Sequence, residues 1–196
     1  MSKRIKAGTV LKKDNIDNFI IDGHLLTKPE AANYVFSDQV DFELPKTGGC
    51  LHYITNRAFN AIEIIEKVAQ GEVIEEMCVA VYSINEKAGS KIMALHRAGR
   101  IKKASFIFST IRRGGKGNSL ESTYKTLQNY GAFNICYLYS HAKVVTIKTK
   151  SSDYTLEMSC NLAHNSRIEN IVIFNSAQLL DFHSSWIKSL MEAENG

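Results

Sequence analysis

No stretch of this 196-residue chain stays apolar for the ~20 consecutive residues that a membrane-spanning helix requires. The lysine-rich residues 1–15 also lack the apolar centre of a secretory signal peptide. Internal repeats and low-complexity tracts are absent as well. We therefore expect a cytoplasmic protein that has no membrane as a partner.

Metal-ligand spacings are equally absent. The four cysteines, Cys50, Cys78, Cys136 and Cys160, are scattered, and no C-x-x-C or paired Cys/His spacing occurs. Three of them stand in apolar, strand-like runs, so we interpret all four as reduced core residues. No acidic cluster is present either, and we expect neither a metal nor a cofactor.

The length and charge of the chain predict a single domain with a mild preference for anionic partners. A chain of this size can bury one core but is too short for two full α/β domains. The net charge of +4 permits an anionic partner without requiring one. Residues 1–45 are predicted to be an N-terminal arm, and residues 46–196 the folded domain.

From residue 50 onward the pattern predicts an α/β sandwich with a mixed, largely parallel sheet flanked by helices. Short apolar runs at 51–54, 77–84 and 104–111 are predicted strands, and residues 133–140 lead into the hairpin described below. These strands alternate with three predicted helices. The first begins at Asn56 and ends at Val68, the second covers 86–98 and is closed by Gly99, and the third covers 120–130. An amphipathic helix over 177–192 closes the chain.

Residues 137–170 are predicted to form a β-hairpin that carries reactive side chains. The polar turn at 150–153 separates two strand-like runs. His141 and Lys143 are two residues apart in the first run, and Ser159 and Asn161 in the second, so each pair is predicted to share a face. On the first strand, Val145 and Ile147 would follow on that face. An imidazole, an ammonium, a hydroxyl and a carboxamide that meet at one place suit a phosphodiester.

This arrangement resembles the phospholipase D superfamily, whose signature is H-x-K-x(4)-D followed by G-S-x-N. The residues that match are His141, Lys143, Ser159 and Asn161. Two positions depart from the signature, because Lys148 stands where the family has Asp and Met158 where it has Gly. The order of elements over residues 50–192 is also similar to one lobe of that fold.

The resemblance implies a mechanism with two histidines, one attacking phosphorus and one protonating the leaving oxygen. Because the chain has one H-x-K, we predict a homodimer in which each copy contributes His141 to a shared site. Lys143 and Asn161 would stabilise charge on the phosphoryl oxygens. Glu169 either supports the imidazole, as in relatives, or is an exposed carboxylate on a helix. His141 itself has the alternative of an ordinary core or surface histidine.

Basic segments favour nucleic acid as the substrate. The glycine-rich loop at 112–118 combines backbone donors with three cations, Arg112, Arg113 and Lys116. Four more cations precede it on what we interpret as an adjacent turn, namely Arg97, Arg100, Lys102 and Lys103. We therefore predict a metal-independent phosphodiesterase, specifically a nuclease that binds DNA or RNA. The alternatives are an impaired module that only binds the phosphate backbone, and a phosphodiesterase of lipids or small molecules.

Overall fold

The computed structural model describes residues 20–27, 42–56, 59–110, 118–163 and 168–195. It confirms the predicted α/β sandwich. In chain order the elements are β1 Ile20–Thr27, β2 Gly49–Asn56, α1 Ala61–Gly71, β3 Glu76–Val81, α2 Glu86–Arg97, β4 Ala104–Ser109, α3 Asn118–Tyr130, β5 Asn134–Leu138, β6 Val144–Lys148, β7 Asp153–Met158, β8 Ile168–Asn175 and α4 Ala177–Asn195.

One mixed sheet of eight strands contains all the described strands, in the order β1-β2-β8-β7-β6-β3-β4-β5. The strands β3, β4 and β5 are parallel neighbours, as their alternation with helices predicts. The predicted hairpin is present as β6 and β7, and its antiparallel ladder ends at the pair Lys148 and Asp153 beside the turn. The antiparallel centre of the sheet is larger than predicted because β8 pairs with both β7 and β2.

Helices cover both faces of the sheet. On β3, Met77, Val79 and Val81 belong to the larger core, which also contains the apolar sides of α1, α2 and α3. The alternate residues Cys78 and Ala80 belong to a smaller core under α4. Because successive side chains on a strand point to opposite faces, this division explains why residues 77–84 read as a continuous apolar run.

Helix boundaries follow capping chemistry. The helix predicted to begin at Asn56 instead begins after Asn60, whose side chain accepts a hydrogen bond from Ile62 N at 2.9 Å. Glu63 completes a capping box by accepting from Asn60 N at 3.0 Å. Asn56 is the last residue of β2. The end of α2 was predicted correctly, since Gly99 follows it with a positive φ of 68°.

Two strands have no counterpart among the predicted elements. β8 presents Ile171 and Ile173 to the larger core, and β1 pairs in parallel with β2 at the edge of the sheet. β1 lies within residues 1–45, and the division of the chain at residue 45 stays a prediction. All four cysteines are buried and outside disulfides, as predicted. Burial, with a smaller effect from Glu157, raises the pKa of Cys50 to about 11. Within the described ranges, no helix is both long and apolar enough to cross a bilayer.

Polar contacts attach α4 to the sheet. Trp186 Nε1 donates to His183 Nδ1 at 3.0 Å, so His183 donates from Nε2 to Glu157 across 2.9 Å. This hydrogen bond to its charged form lowers the pKa of Glu157 below its ordinary value of 4.5. Two further contacts between α4 and the sheet are Ser184 with Thr146 at 3.0 Å and Lys188 with Glu76 at 2.8 Å.

We expect His183→Ala to lower the free energy of unfolding by about 1 kcal/mol at pH 7, because it removes a hydrogen bond from a buried imidazole to a carboxylate that is 45% exposed and therefore screened by water. A carboxylate with a lowered pKa stabilises the fold above pH 4.5 and loses that contribution as the pH falls through its folded-state pKa. The difference between wild type and variant should therefore shrink below pH 4.5. Urea unfolding followed by fluorescence of the single tryptophan, Trp186, measures it. An unchanged difference at pH 3.5 would contradict this account.

Candidate active site

His141 and Lys143 lie immediately before β6, in the connection from β5. The prediction that both belong to the strand is wrong, because β6 begins only at Val144. The chain has to pass the ends of β4 and β3 to reach β6, a distance of about 14 Å at the usual strand spacing. The five residues between β5 and β6 span at most about 18 Å. Most of their reach is used in the crossing, so the regular strand begins only after them.

Local hydrogen bonds hold this connection on both sides of the imidazole. Ala142 N donates to Ser140 Oγ at 3.1 Å, and Lys143 Nζ donates to the carbonyl oxygen of His141 at 3.3 Å. Met158 N donates to the carbonyl oxygen of Lys143 at 3.1 Å, which continues the β6–β7 ladder by one residue. The connection is thus tied directly to the strand that leads into the second half of the motif. The His141 side chain is exposed and Lys143 is half-buried.

Tyr82, the first residue after β3, joins the two halves of the motif. Its ring centroid lies 4.9 Å from that of His141, and its backbone N donates to Asn161 Oδ1 at 3.1 Å. A backbone N–H can only donate, so this bond fixes the orientation of the Asn161 amide. With its oxygen engaged, the amide has its NH₂ group to offer to a substrate oxygen.

Tyr82 was missed as a site residue, although a signal for it exists. It follows a buried parallel strand at the carboxyl end, where side chains of an α/β sheet commonly meet a ligand. In the sequence it reads as one more apolar residue of the run 77–84.

Ser159 connects the end of β7 to β8. Its Oγ donates to Glu169 Oε2 and accepts from Asn170 N at 3.0 Å. Ser159 N donates to the carbonyl oxygen of Asn170, also at 3.0 Å. Among the described residues, Glu169 is therefore hydrogen-bonded to Ser159 and not to His141. The alternative that Glu169 lies on a helix is wrong, because it lies half-buried on β8.

All five predicted catalytic residues thus lie at one end of the sheet. These are His141, Lys143, Ser159, Asn161 and Glu169. The Lys143–Met158 backbone bond and the contacts of Tyr82 link the histidine side to the serine and asparagine side. The structure thus brings together an imidazole, an ammonium, a hydroxyl and an amide donor, which are groups of the kind used in reactions at phosphorus.

Of the two departures from the family signature, Lys148 lies at the other end of the sheet, whereas Met158 lies at this end, directly before Ser159. Lys148 is the last residue of β6, about 17 Å along the strand from Lys143. Its register partners are Glu76 on β3 and Asp153 on β7. An Asp at this position would face two carboxylates, whereas the lysine complements both. Met158 is half-buried against the larger core, so its side chain has a packing role.

We expect Lys148→Asp, which restores the residue found in the family, to destabilise the fold without improving activity. Two cross-strand pairs change from attractive to repulsive, and each is worth about 0.2–1 kcal/mol. The predicted loss of unfolding free energy is therefore about 1–2 kcal/mol. Urea denaturation checks the stability, with Lys148→Gln as the neutral control. A variant more stable than wild type would contradict this interpretation of Lys148.

The prediction that the two basic segments form one surface stays a prediction, because Arg112, Arg113 and Lys116 lie outside the described residues. Arg97, Arg100, Lys102 and Lys103 precede β4 in the chain, at its amino-terminal end. Two of these are engaged structurally, since Arg100 Nε donates to the carbonyl oxygen of Ala69 and Lys102 pairs with Glu75 at 2.7 Å. The turn at 97–103 therefore lies at the end of the sheet opposite to the predicted catalytic residues.

Comparison with known proteins identifies the fold. No family model matches the sequence, and no curated protein matches it either. Among solved structures, NucT from Helicobacter pylori matches with a TM-score of 0.57 at 16% identity, over 73% of this chain and 95% of that one. The phospholipase D family member Nuc from Salmonella typhimurium matches with a TM-score of 0.51 at 15% identity, over 64% and 83%.

A third solved structure, polyphosphate kinase from Porphyromonas gingivalis, matches with a TM-score of 0.52 at 15% identity. The match covers 70% of this chain but only 25% of the kinase, so the similarity is to one part of a larger protein. The three structures share the layered sheet and helices described above. This chain therefore has the phospholipase D-like fold.

Proposed function

We propose that this protein is a metal-independent phosphodiesterase that cleaves nucleic acid through a phosphohistidine at His141. The observation that carries the proposal is the junction made by Tyr82, which holds the imidazole and the Asn161 amide at the carboxyl end of β3. The motif residues lie together on a phospholipase D-like fold, and that agreement supports the chemistry implied by the sequence resemblance.

The proposed reaction has two displacements at phosphorus. A ring nitrogen of His141 attacks, a P–N bond forms, the P–O bond to the leaving group breaks, and a second histidine protonates the leaving oxygen. That histidine then takes a proton from water, which attacks phosphorus and breaks the P–N bond. Lys143 and Asn161 stabilise the charge on the non-bridging oxygens, and the loss of one such donor typically costs about 3 kcal/mol in the transition state.

A second copy of the chain supplies the second histidine in this proposal. The sequence has a single H-x-K, and the His141 side chain is exposed at the surface. A twofold axis places identical residues opposite each other, so two copies that meet at this end of the sheet would face each other with their imidazoles. The site is then the partner's His141 together with the residues of one copy.

Nucleic acid is the proposed substrate because the charge pattern favours a polyanion. The net charge is +4, and the segment between β4 and α3 carries Arg112, Arg113 and Lys116 next to the site end of β4 in sequence. Lys143 adds a cation beside the imidazole. A lipid phosphodiester remains the chemical alternative and is included in the test.

The test is incubation of the purified protein with single- and double-stranded DNA and RNA, and with a phosphodiester lipid, all in EDTA. Cleavage of nucleic acid in EDTA supports the proposal, since no step requires a metal. Salt-dependent binding without cleavage would identify a phosphate-backbone-binding module instead. Turnover of the lipid alone would overturn the choice of substrate.

A further inference from the structure

Tyr139 is the most exposed large apolar side chain among the described residues, with 85% of its surface open. It follows β5 directly and precedes His141 by two residues, so the two Cα atoms lie within about 7 Å of each other. β5 pairs in parallel with β4 up to Leu138 and Ser109, and the chain then crosses toward His141. The ring therefore stands at the same end of the sheet as the catalytic residues.

Two other tyrosines in this part of the sheet are covered, unlike Tyr139. Tyr137 packs edge-on against Tyr124, with ring centroids 5.6 Å apart, on the larger core. Tyr82 packs against His141. The connection is held in place by the Ser140 and Lys143 hydrogen bonds described above, so the exposed ring sits on an anchored backbone. An exposed, flat, apolar ring of this kind costs free energy in water unless a ligand covers it.

We propose that Tyr139 stacks on the base attached to the phosphate held at His141, so that the site selects single-stranded nucleic acid. The inference rests on the proposed function and names its substrate class. Every base has a π-face, and stacking on an aromatic side chain contributes to binding whatever the sequence. In a duplex the bases are stacked on each other and their faces are closed to the ring. Unpaired nucleotides alone satisfy both the phosphate contacts and the stacking contact.

The test is equilibrium binding, measured by fluorescence anisotropy in EDTA, in a His141→Ala background that prevents cleavage during the measurement. The probes are a labelled single-stranded DNA oligonucleotide, the same strand without bases, and the duplex. Tyr139→Ala should weaken binding of the normal strand about 5- to 150-fold and leave binding of the abasic strand within about twofold. Tyr139→Phe should retain the affinity. The matched control is Phe182→Ala, which removes an exposed ring on α4 (62% open) and should change nothing.

Any of the following results would overturn the inference. They are an equal loss on normal and abasic strands, unchanged affinity in Tyr139→Ala, preference for the duplex, and conversion of a dimer to a monomer by Tyr139→Ala in light scattering. The last would assign the ring to contact between copies. Because binding is measured without turnover, base-dependent binding by a wild-type protein that never cleaves would refute the proposed function and leave this inference standing. Absence of binding to any strand would refute both.

Discussion

Replacement of His141 by Ala is expected to reduce cleavage in EDTA by at least about 10⁴-fold, because it removes the attacking nitrogen and, in the partner copy, the proton donor. The reduction should appear in kcat, since the cation and the amide that contact the phosphate oxygens remain. Single-turnover cleavage of a labelled oligonucleotide, with the enzyme in excess, measures the chemical step directly.

The matched control is His52→Ala, which removes an exposed histidine from β2. It should leave the rate within about twofold of wild type, since a surface substitution away from the site has little effect on structure. A fall of less than tenfold in His141→Ala would remove this residue from the reaction. An equal fall in both variants would point to general loss of folding, and an unchanged rate in both would point to a contaminating nuclease.

Mixing subunits is expected to show that the site belongs to two copies. When equal amounts of wild type and His141→Ala exchange subunits, about one quarter of the dimers are wild type in both copies, compared with one half before exchange. If both imidazoles are needed, total activity therefore falls to about half after exchange. The measurement is the initial rate before and after incubation under conditions that permit dissociation.

The control for this experiment is a mixture of wild type with His52→Ala, in which activity should stay constant. Activity that does not fall in the His141→Ala mixture, although mass spectrometry shows that mixed dimers have formed, would mean that each copy is catalytically complete. A protein that is monomeric at assay concentration and still cleaves would lead to the same conclusion.

The parts of the fold that the sequence predicted are those encoded by local patterns. Alternation of apolar runs with helical spacing predicted β3 and β4 as strands of a largely parallel sheet, and the polar turn predicted the hairpin of β6 and β7. β8 could not be found in this way, because its partners are β7 and the distant β2. Its Ile171 and Ile173 become core residues only through that pairing.

In the candidate site, too, local features could be predicted and long-range contacts could not. The spacings of His141 with Lys143 and of Ser159 with Asn161 indicated the hairpin residues, because they are local. The contact of Tyr82 with Asn161 joins residues 79 positions apart and depends on β6 lying next to β3. The complementarity of Lys148 to Glu76 and Asp153 likewise becomes visible only with the register of three strands.

The role of Glu169 shows how the structure changes the chemical interpretation. The resemblance implied direct support of the imidazole, whereas the structure pairs Glu169 with the Ser159 hydroxyl. That bond, with Asn170 N on the same oxygen, fixes the segment that carries Asn161.

In the proposed reaction His141 itself becomes bonded to phosphorus. The most direct measurement is mass spectrometry of a rapidly quenched reaction with an oligonucleotide, digested under alkaline conditions that preserve a P–N bond. We expect a nucleotidyl phosphate on the peptide that contains His141, formed and lost at rates consistent with turnover. Cleavage that proceeds with the phosphate attached to another residue, or to none, would contradict the proposed reaction.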